Sequence, residues 1–347
     1  MDLPISHAAL SPADEAALTE LYRRGTPANT LRAWERDLVY LTAWKQAAFG
    51  APLTWPEDQR VALRFVLDHA SDLTDATGPA RTVAETLVAA GIRRGFSCPA
   101  PATVDRRIAS WRAFHRMKNL PSPFESPLIR QARARARRAA ARPRHPKSEN
   151  PITREILETL LATCDHSHRG MRDRAALMLG WASGGRRRSE IVGLNRDDID
   201  DSQFQDKGLL RIRLLVTKTT GIDQAPRLPL KGRAARAVMN WIALARITEG
   251  PLFRPISLAD RPLARRLSGD GFRNILRHRL ELAGFSPGFA SPHGIRSGFL
   301  TQAALDGAPL PAAMQLSLHR SAVQAQQYYT DVEITDNPAT NLLEDDP

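Results

Sequence analysis

Apolar residues recur three and four positions apart through most of the first 120 residues, the spacing of amphipathic helices. The segment 11–25 has the signals of a helix. Ser11 is a candidate N-cap, Pro12 suits the first helical position and Gly25 is a candidate stop. The stripe in segment 30–49 consists of Leu31, Trp34, Leu38, Leu41 and Trp44. Similar spacing occurs in segments 56–69, 82–90 and 103–117. The pattern predicts four or five packed helices in this part of the chain.

After residue 151 the helical spacing continues, but it is interrupted once by a different period. The run LLRIRLLV at 209–216 is rich in strand-forming residues, and PRLPL follows it at 226–230, so the two segments predict a β-hairpin. A short helix opens after a glycine turn in GGRRRSEIVGL. The other predicted helices cover 153–164, 171–183, 233–247 and 269–283, with more helix-forming residues at 291–331. The predicted fold class is therefore mainly α with a small β-sheet.

A basic segment separates these two blocks. Between residues 130 and 147 there are eight basic residues and no acidic one, and Pro143 and Pro146 end any helix begun earlier. A charge run of this kind is often only a solvated surface, but its position between two folded blocks favours contact with DNA. The candidate DNA-binding residues are Arg130, Arg133, Arg135, Arg137, Arg138, Arg142, Arg144 and Lys147. We predict a helical domain at 1–140, a basic linker at 141–150 and a second domain at 151–347.

The charge balance points in the same direction. The chain has 347 residues, a formal net charge of +12 and a pI near 10.5, so its field should attract nucleic acid first and an anionic membrane second. No apolar run reaches the about 18 residues needed to span a bilayer, and the first residues do not resemble a signal peptide. Cys98 and Cys164 are far apart and form no CxxC pair, which fits a reducing compartment. We expect a cytoplasmic protein.

The segment 291–331 concentrates side chains that could attack a phosphate. Direct cleavage of a phosphodiester needs a nucleophile, cations on the oxygens where charge builds, and an acid for the departing oxygen. His293 and Arg296 lie three apart and share a helix face, while His319 is followed nine residues later by Tyr328. Arginine can clamp a phosphate with two hydrogen bonds, and tyrosine becomes a nucleophile only with help from a base or nearby cations. Only six of the 49 basic residues are lysine, which gives weight to Lys218 beside the predicted hairpin.

Together these motifs resemble those of the tyrosine recombinases, or phage integrases. The resemblance rests on SGGRRRSEIVGL, HGIR and SLHR and on the tyrosine after them, and it covers 151–331 by motif and the helical first block by architecture alone. In the family the first catalytic arginine lies two residues before the serine of Ser-Glu. The resemblance implies the catalytic residues Arg187, Lys218, His293, Arg296, His319 and Tyr328, with Glu190 as a supporting carboxylate.

The resemblance also implies an architecture and a mechanism. A helical core-binding (SAM-like) domain and a mixed α/β catalytic domain would clamp double-stranded DNA as a homotetramer. Tyr328 would attack the phosphate and leave a 3′-phosphotyrosyl bond, with Lys218 protonating the departing oxygen and His293 assisting at the tyrosine. Arg187, Arg296 and His319 would hold the phosphate oxygens. Neither a cofactor nor a metal ion is expected, and the sequence does not identify accessory proteins.

Simpler interpretations exist for each motif taken alone. An HxxR pair is common on helices, three arginines can simply begin a charged helix, and Lys218 can be an ordinary turn residue. Tyr328 and Tyr329 point about 100° apart on a helix, so only one of them can serve a given phosphate. Cys164, His166 and His168 have the spacing of zinc ligands without a clear fourth, which favours a polar loop. The complete set in family order is far more specific than any member.

Two departures from the family pattern and two alternative functions stay open at this point. Leu318 precedes His319 where glycine is usual, and Ser297 follows Arg296 where histidine is frequent.

The acidic tail 331–347, with Leu342 and Leu343, either docks on a neighbouring protomer or is a frayed end. The predicted function is site-specific DNA recombination. The alternatives are a non-catalytic DNA-binding regulator on the same scaffold and a type IB topoisomerase.

Overall fold

The computed structural model describes residues 11–141, 148–214, 225–319 and 321–333, with only the backbone of 331–333. The chain divides into two compact units, Met1–Arg144 and His145–Pro347. The described residues form helices and one three-stranded antiparallel sheet, which confirms the predicted fold class. Within the same residues, no helix is both long enough and apolar enough to cross a bilayer.

The first unit is helical, and its helices begin and end where the sequence signals them. The Ser11 hydroxyl accepts the backbone N–H of Asp14 at 3.2 Å and Pro12 opens the helix, as predicted. Gly50 ends the second helix at φ +64°. The helices are α1 Pro12–Gly25, α2 Ala28–Phe49, α3 Gln59–Asp68, α4 Pro79–Ala89, α5 Pro101–Met117 and α6 Pro127–Ala139.

Aromatic side chains fill the core of this unit. The rings of Trp44 and Phe65 meet edge to face with centroids 4.9 Å apart, and Trp111 lies 5.5 Å from Phe65. All three side chains are fully buried. The basic helix α6 joins the same core through Ile129, which is 1% exposed, so α6 is a packed helix of this unit rather than a free segment.

The second unit is built around its own core. Its helices are α7 Arg154–Ala162, α8 His168–Ala182, α9 Arg188–Gly193, α10 Phe204–Lys207, α11 Gly232–Leu244, α12 Gly269–Leu282, α13 His293–Leu305, α14 Leu310–Ser317 and α15 Ala322–Glu333. Its strands are β1 Ile199–Asp200, β2 Leu209–Arg213 and β3 Arg227–Lys231, in the order β1-β2-β3. The strands of the predicted hairpin are confirmed by the antiparallel pairing of β2 with β3, whereas the two-residue strand β1 was not predicted.

Alternate residues of β2 and β3 face this core. Leu210 pairs with Leu230 and Ile212 pairs with Leu228, and all four are buried, because a side-chain period of two places them on one face of the sheet. A smaller cluster of buried side chains joins the last three helices. It consists of Leu300 on α13, Ala313 on α14 and Tyr329 on α15.

Candidate active site

Two glycines between α8 and α9 allow three parts of the second unit to meet. Gly184 and Gly185 have φ of +98° and +68°, which side chains rarely tolerate. A Cβ on Gly184 would overlap the carbonyl of Leu316 at the end of α14, and one on Gly185 would overlap Cα of Arg296 on α13. The turn that leads into α9 therefore packs directly against both later helices.

Arg187 stands at the start of α9 and is oriented by a carboxylate one turn later. Its guanidinium donates from Nη1 to Oε1 of Glu190 at 2.8 Å, and its backbone N–H donates to Oε2 of the same residue at 3.1 Å. The Glu190 side chain is 4% exposed, whereas that of Arg187 is 43% exposed. Glu190 thus fixes both the backbone and the guanidinium of Arg187, whose side chain stays partly open to solvent.

Arg296 is a buried cation of the cluster. It is 3% exposed, and it donates from Nη1 to the carbonyl of Gly185 at 3.1 Å. Its Nη2 and Nε lie 3.1 and 3.3 Å from the two ring nitrogens of His319. Burial, with repulsion from Arg187 as a second cause, lowers the pKa of Arg296 to about 10, so the guanidinium stays charged at neutral pH.

His319 lies just after α14 and is held neutral by its surroundings. Leu318 adopts φ +54°, in the left-handed region where the family usually has glycine, and this turns the chain toward Arg296. The hydroxyl of Ser317, which is fully buried, lies 2.8 Å from Nδ1 of His319. Burial and then the charges of Arg296, Arg187 and Arg186 lower the pKa of His319 to about 4. At neutral pH this ring offers a hydrogen bond and no charge.

The two neighbouring tyrosines have different surroundings. The Tyr328 hydroxyl lies 3.3 Å from Nε2 of His293, and its ring centroid is 6.4 Å from that of His319. Burial raises the pKa of Tyr328, and the nearby Arg296 partly offsets the effect. Tyr329 is 4% exposed and donates its hydroxyl proton to the carbonyl of Ala308 at 2.9 Å. Tyr328 therefore faces the cluster, while Tyr329 packs in the core.

The structure brings together every predicted catalytic side chain that it describes, and Lys218 lies outside the described residues. Sequence reasoning missed two contributors, Arg186 and Ser317. Arg186 is 1% exposed and donates to the Leu316 carbonyl at 2.5 Å. Ser317 carried no signal in the sequence beyond its place two residues before His319.

The predicted DNA-binding residues fall into three groups. On α6, Arg133 is largely covered and donates to Asp105 of α5 at 2.7 Å, so it holds the helix in place. The other arginines of this helix, Arg130, Arg135, Arg137 and Arg138, are exposed. Arg142, Arg144 and Lys147 lie outside the described residues.

Two of the three residues with zinc-like spacing, Cys164 and His168, have other partners. Cys164 is buried, which raises the pKa of its thiol, and its Sγ lies 3.7 Å from the carbonyl of Leu160. His168 begins α8, with Nδ1 3.4 Å from a carboxylate oxygen of Asp260. Among the residues that the structure describes, no three His, Cys, Asp or Glu side chains are grouped as metal ligands.

Comparison with known proteins gives a family with the same motifs. The profile of the phage integrase family matches residues 151–335, more than half of the chain. The chain is 32% identical over 244 residues to the tyrosine recombinase XerC of Pelotomaculum thermopropionicum, covering 67% of this chain and 71% of that protein. It is 28% identical over 252 residues to the integrase/recombinase xerD homolog of Selenomonas ruminantium, covering 70% of this chain and 72% of that protein.

A solved structure has the same fold. The Tn1549 transposon integrase in complex with circular intermediate DNA superposes with a TM-score of 0.57 at 15% sequence identity, over 93% of this chain and 97% of that one. The motif order, the clustered side chains and the family profile all point to the same family. The chain belongs to the phage integrase family and is a tyrosine-type site-specific recombinase.

Proposed function

We propose that this protein cuts and rejoins double-stranded DNA through a covalent bond between Tyr328 and a 3′-phosphate. The observation that carries the proposal is the contact of the Tyr328 hydroxyl with His293, within a cluster that includes Arg296. Because the pKa of Tyr328 is raised, its hydroxyl is protonated at neutral pH and needs a base. His293 is positioned to take that proton.

The first step exchanges one phosphate ester for another. The Tyr328 oxygen forms a bond to phosphorus, its proton passes to His293, and the bond to the 5′-oxygen breaks. Lys218 supplies the proton for this leaving oxygen, a role that rests on the resemblance alone. Since the phosphodiester energy is kept in the tyrosyl ester, a 5′-hydroxyl from another strand can reverse the step without a nucleotide cofactor.

Charge stabilisation comes from the two arginines and the neutral histidine. Arg187 and Arg296 hold the non-bridging oxygens, because a guanidinium fork can donate two parallel hydrogen bonds to a phosphate. His319 stays neutral because its pKa is low, and its Nε2 accepts a hydrogen bond from Nε of Arg296, which orients that guanidinium toward the phosphate. The buried Arg296 is effective because its orientation is already fixed by Gly185 and His319 before DNA arrives.

The assembly follows from the chemistry. Each protomer cleaves one strand with its one nucleophilic tyrosine, so exchange of both strands between two duplexes requires four protomers. We therefore propose a homotetramer on DNA, acting in the cytoplasm where the DNA substrate lies. The net charge of +12 supports a polyanionic partner.

Covalent capture tests the proposal. Sheared chromosomal DNA from the source cell is mixed with the protein, and the mixture is denatured. DNA that stays bound to protein is collected on a filter and sequenced. A nicked suicide substrate is then made with the recovered sequence. The expected result is an adduct that survives denaturing electrophoresis. DNA binding without any adduct would instead identify a non-catalytic regulator. Supercoil relaxation by a monomer without site preference would identify a type IB topoisomerase.

The exposed arginines of α6 give a separate prediction for DNA affinity. Changing Arg130, Arg135 and Arg138 to glutamine should weaken DNA binding. The negative slope of the log binding constant against log salt concentration should become shallower by up to about 0.9 for each lost phosphate contact. Binding is measured by fluorescence anisotropy over a series of salt concentrations. Arg133→Gln is the matched control on the same helix. It should lower the thermal stability because the ion pair with Asp105 is lost, with little change in the salt dependence of DNA binding. An unchanged slope in the triple variant would make these arginines a solvated surface.

A further inference from the structure

Arg186 is a buried cation with incomplete hydrogen bonding. Its side chain is 1% exposed, and its Nη2 donates to the carbonyls of Gly184 at 3.1 Å and Leu316 at 2.5 Å. Among the described residues, its Nε and Nη1 have no hydrogen-bond partner. Glu190 lies 3.8 Å from Nη1, and the same carboxylate is hydrogen bonded to Arg187. Arg186 is therefore neither a surface arginine nor a fully paired one.

Such a side chain is costly for folding. Moving a guanidinium out of water carries a large penalty, and two carbonyls and a shared carboxylate offset only part of it. An apolar side chain of similar length would fill the same space without that penalty. Unfavourable groups of this kind persist mainly where function requires them, and Arg186 is next to Arg187 in the site.

The contacts of Arg186 connect the two halves of the site. The Gly184 carbonyl belongs to the turn that carries Arg187, and the Leu316 carbonyl lies one residue before Ser317, whose hydroxyl contacts His319. One guanidinium thus ties the start of α9 to the end of α14. It does so from the protein interior, since its side chain is almost completely covered.

The charge of Arg186 adds to the positive charge of the cluster. A tyrosinate and a phosphodiester carry one negative charge each, so attack gives a pentacoordinate phosphorane whose oxygens hold the developing charge. Arg187 and Arg296 supply two positive charges, but Glu190 cancels one of them. With Arg186 included, three guanidiniums and one carboxylate carry a net charge of +2 (3 − 1), which favours the negative charge that builds up on the phosphorane.

We propose that Arg186 is a positioning residue for strand cleavage, which holds the Arg187 turn and the His319 loop in register and stabilises the phosphorane by its charge without touching the phosphate. This inference rests on the proposed function. The family resemblance assigns no role to this position.

His319 provides a readout that packing alone would not move. The groups facing this ring are Arg296 and His293 of α13, Tyr328 of α15, and Arg186 and Arg187 around the turn before α9. Each of the three arginines lowers the pKa of His319. Loss of Arg186 should therefore raise the pKa of His319 by a small part of its shift, since burial, Arg296 and Arg187 are the larger causes and remain in the variant.

The test uses Arg186→Met, which keeps the length and loses the charge, and Arg186→Lys, which keeps the charge. We expect Arg186→Met to fold with an unchanged or higher Tm and to bind DNA as the wild type does, while single-turnover cleavage falls about tenfold or more. Arg186→Lys should recover part of the rate. Arg188→Met is the matched control, because Arg188 is exposed, pairs with Asp270, and should affect none of these values.

The outcomes separate this inference from the proposed function. If the wild type forms no adduct, the proposed function fails, and the His319 titration, followed by NMR in wild type and Arg186→Met, still tests the electrostatic claim. If the wild type forms the adduct and Arg186→Met cleaves at the same rate with the same His319 titration, Arg186 has no positioning role. A rate that falls only in step with a lowered Tm, in both variants, would equally overturn the inference.

Discussion

Tyr328→Phe should abolish formation of the covalent adduct, a loss of at least about 10⁴-fold in strand cleavage, because no other group replaces a missing nucleophile. The change removes one oxygen atom and its contact with His293. Such a contact contributes about 1 kcal/mol, so the variant should fold and bind DNA as the wild type does. The rate is measured in single turnover on a nicked substrate, with DNA affinity and Tm measured on the same preparation.

Tyr329→Phe is the matched control for this variant. It removes the hydroxyl that donates to the Ala308 carbonyl in the cluster joining α13, α14 and α15, and should lower stability by about 1 kcal/mol. The adduct should still form. An adduct in Tyr328→Phe, or its absence in a well-folded Tyr329→Phe, would mean that Tyr328 is not the nucleophile.

Arg296→Lys should slow strand cleavage by about 10² to 10³-fold. A lysine keeps the charge but cannot donate to the Gly185 carbonyl and contact His319 while holding a phosphate oxygen, since its ammonium lacks the planar fork. The loss should appear in the cleavage rate at saturating DNA rather than in affinity, because the phosphate charge is largest in the transition state.

Arg188→Lys is the control for that substitution. Arg188 is one residue from Arg187, but its side chain is 46% exposed and pairs with Asp270 away from the cluster. Its cleavage rate should match the wild type's. A rate for Arg296→Lys within a few-fold of the wild type would mean that charge alone is required at that position, and the fork geometry would then be unimportant.

Local signals in the sequence predicted most of the helices because those signals act on the backbone nearby. Ser11 with Pro12 begins α1, and the alternating leucine and isoleucine residues of β2 and β3 place their strands on the core. Strand β1 has only two residues and depends on pairing with β2, which no local pattern encodes. The pairing of Arg133 with Asp105, 28 positions away, is likewise a product of helix packing.

Motifs predicted which side chains lie together in the cluster, but not which of the three neighbouring arginines is buried. Three arginines in succession differ only in where the Gly184 and Gly185 turn directs them, so Arg186 is buried while Arg187 and Arg188 are exposed. The choice between the two tyrosines likewise needed the position of α15 against the cluster. Lys218 lies outside the described residues and stays a prediction.

Locating the protein–DNA bond tests whether Tyr328 is the nucleophile. The adduct is trapped on a suicide substrate and digested with a protease and a nuclease, and the nucleotide-bearing peptide is fragmented between residues 328 and 329 in a mass spectrometer. We predict a 3′-phosphate ester on Tyr328 and a free 5′-hydroxyl on the released strand. A nucleotide on Tyr329 or any other residue, or a bond to a 5′-phosphate, would contradict the account.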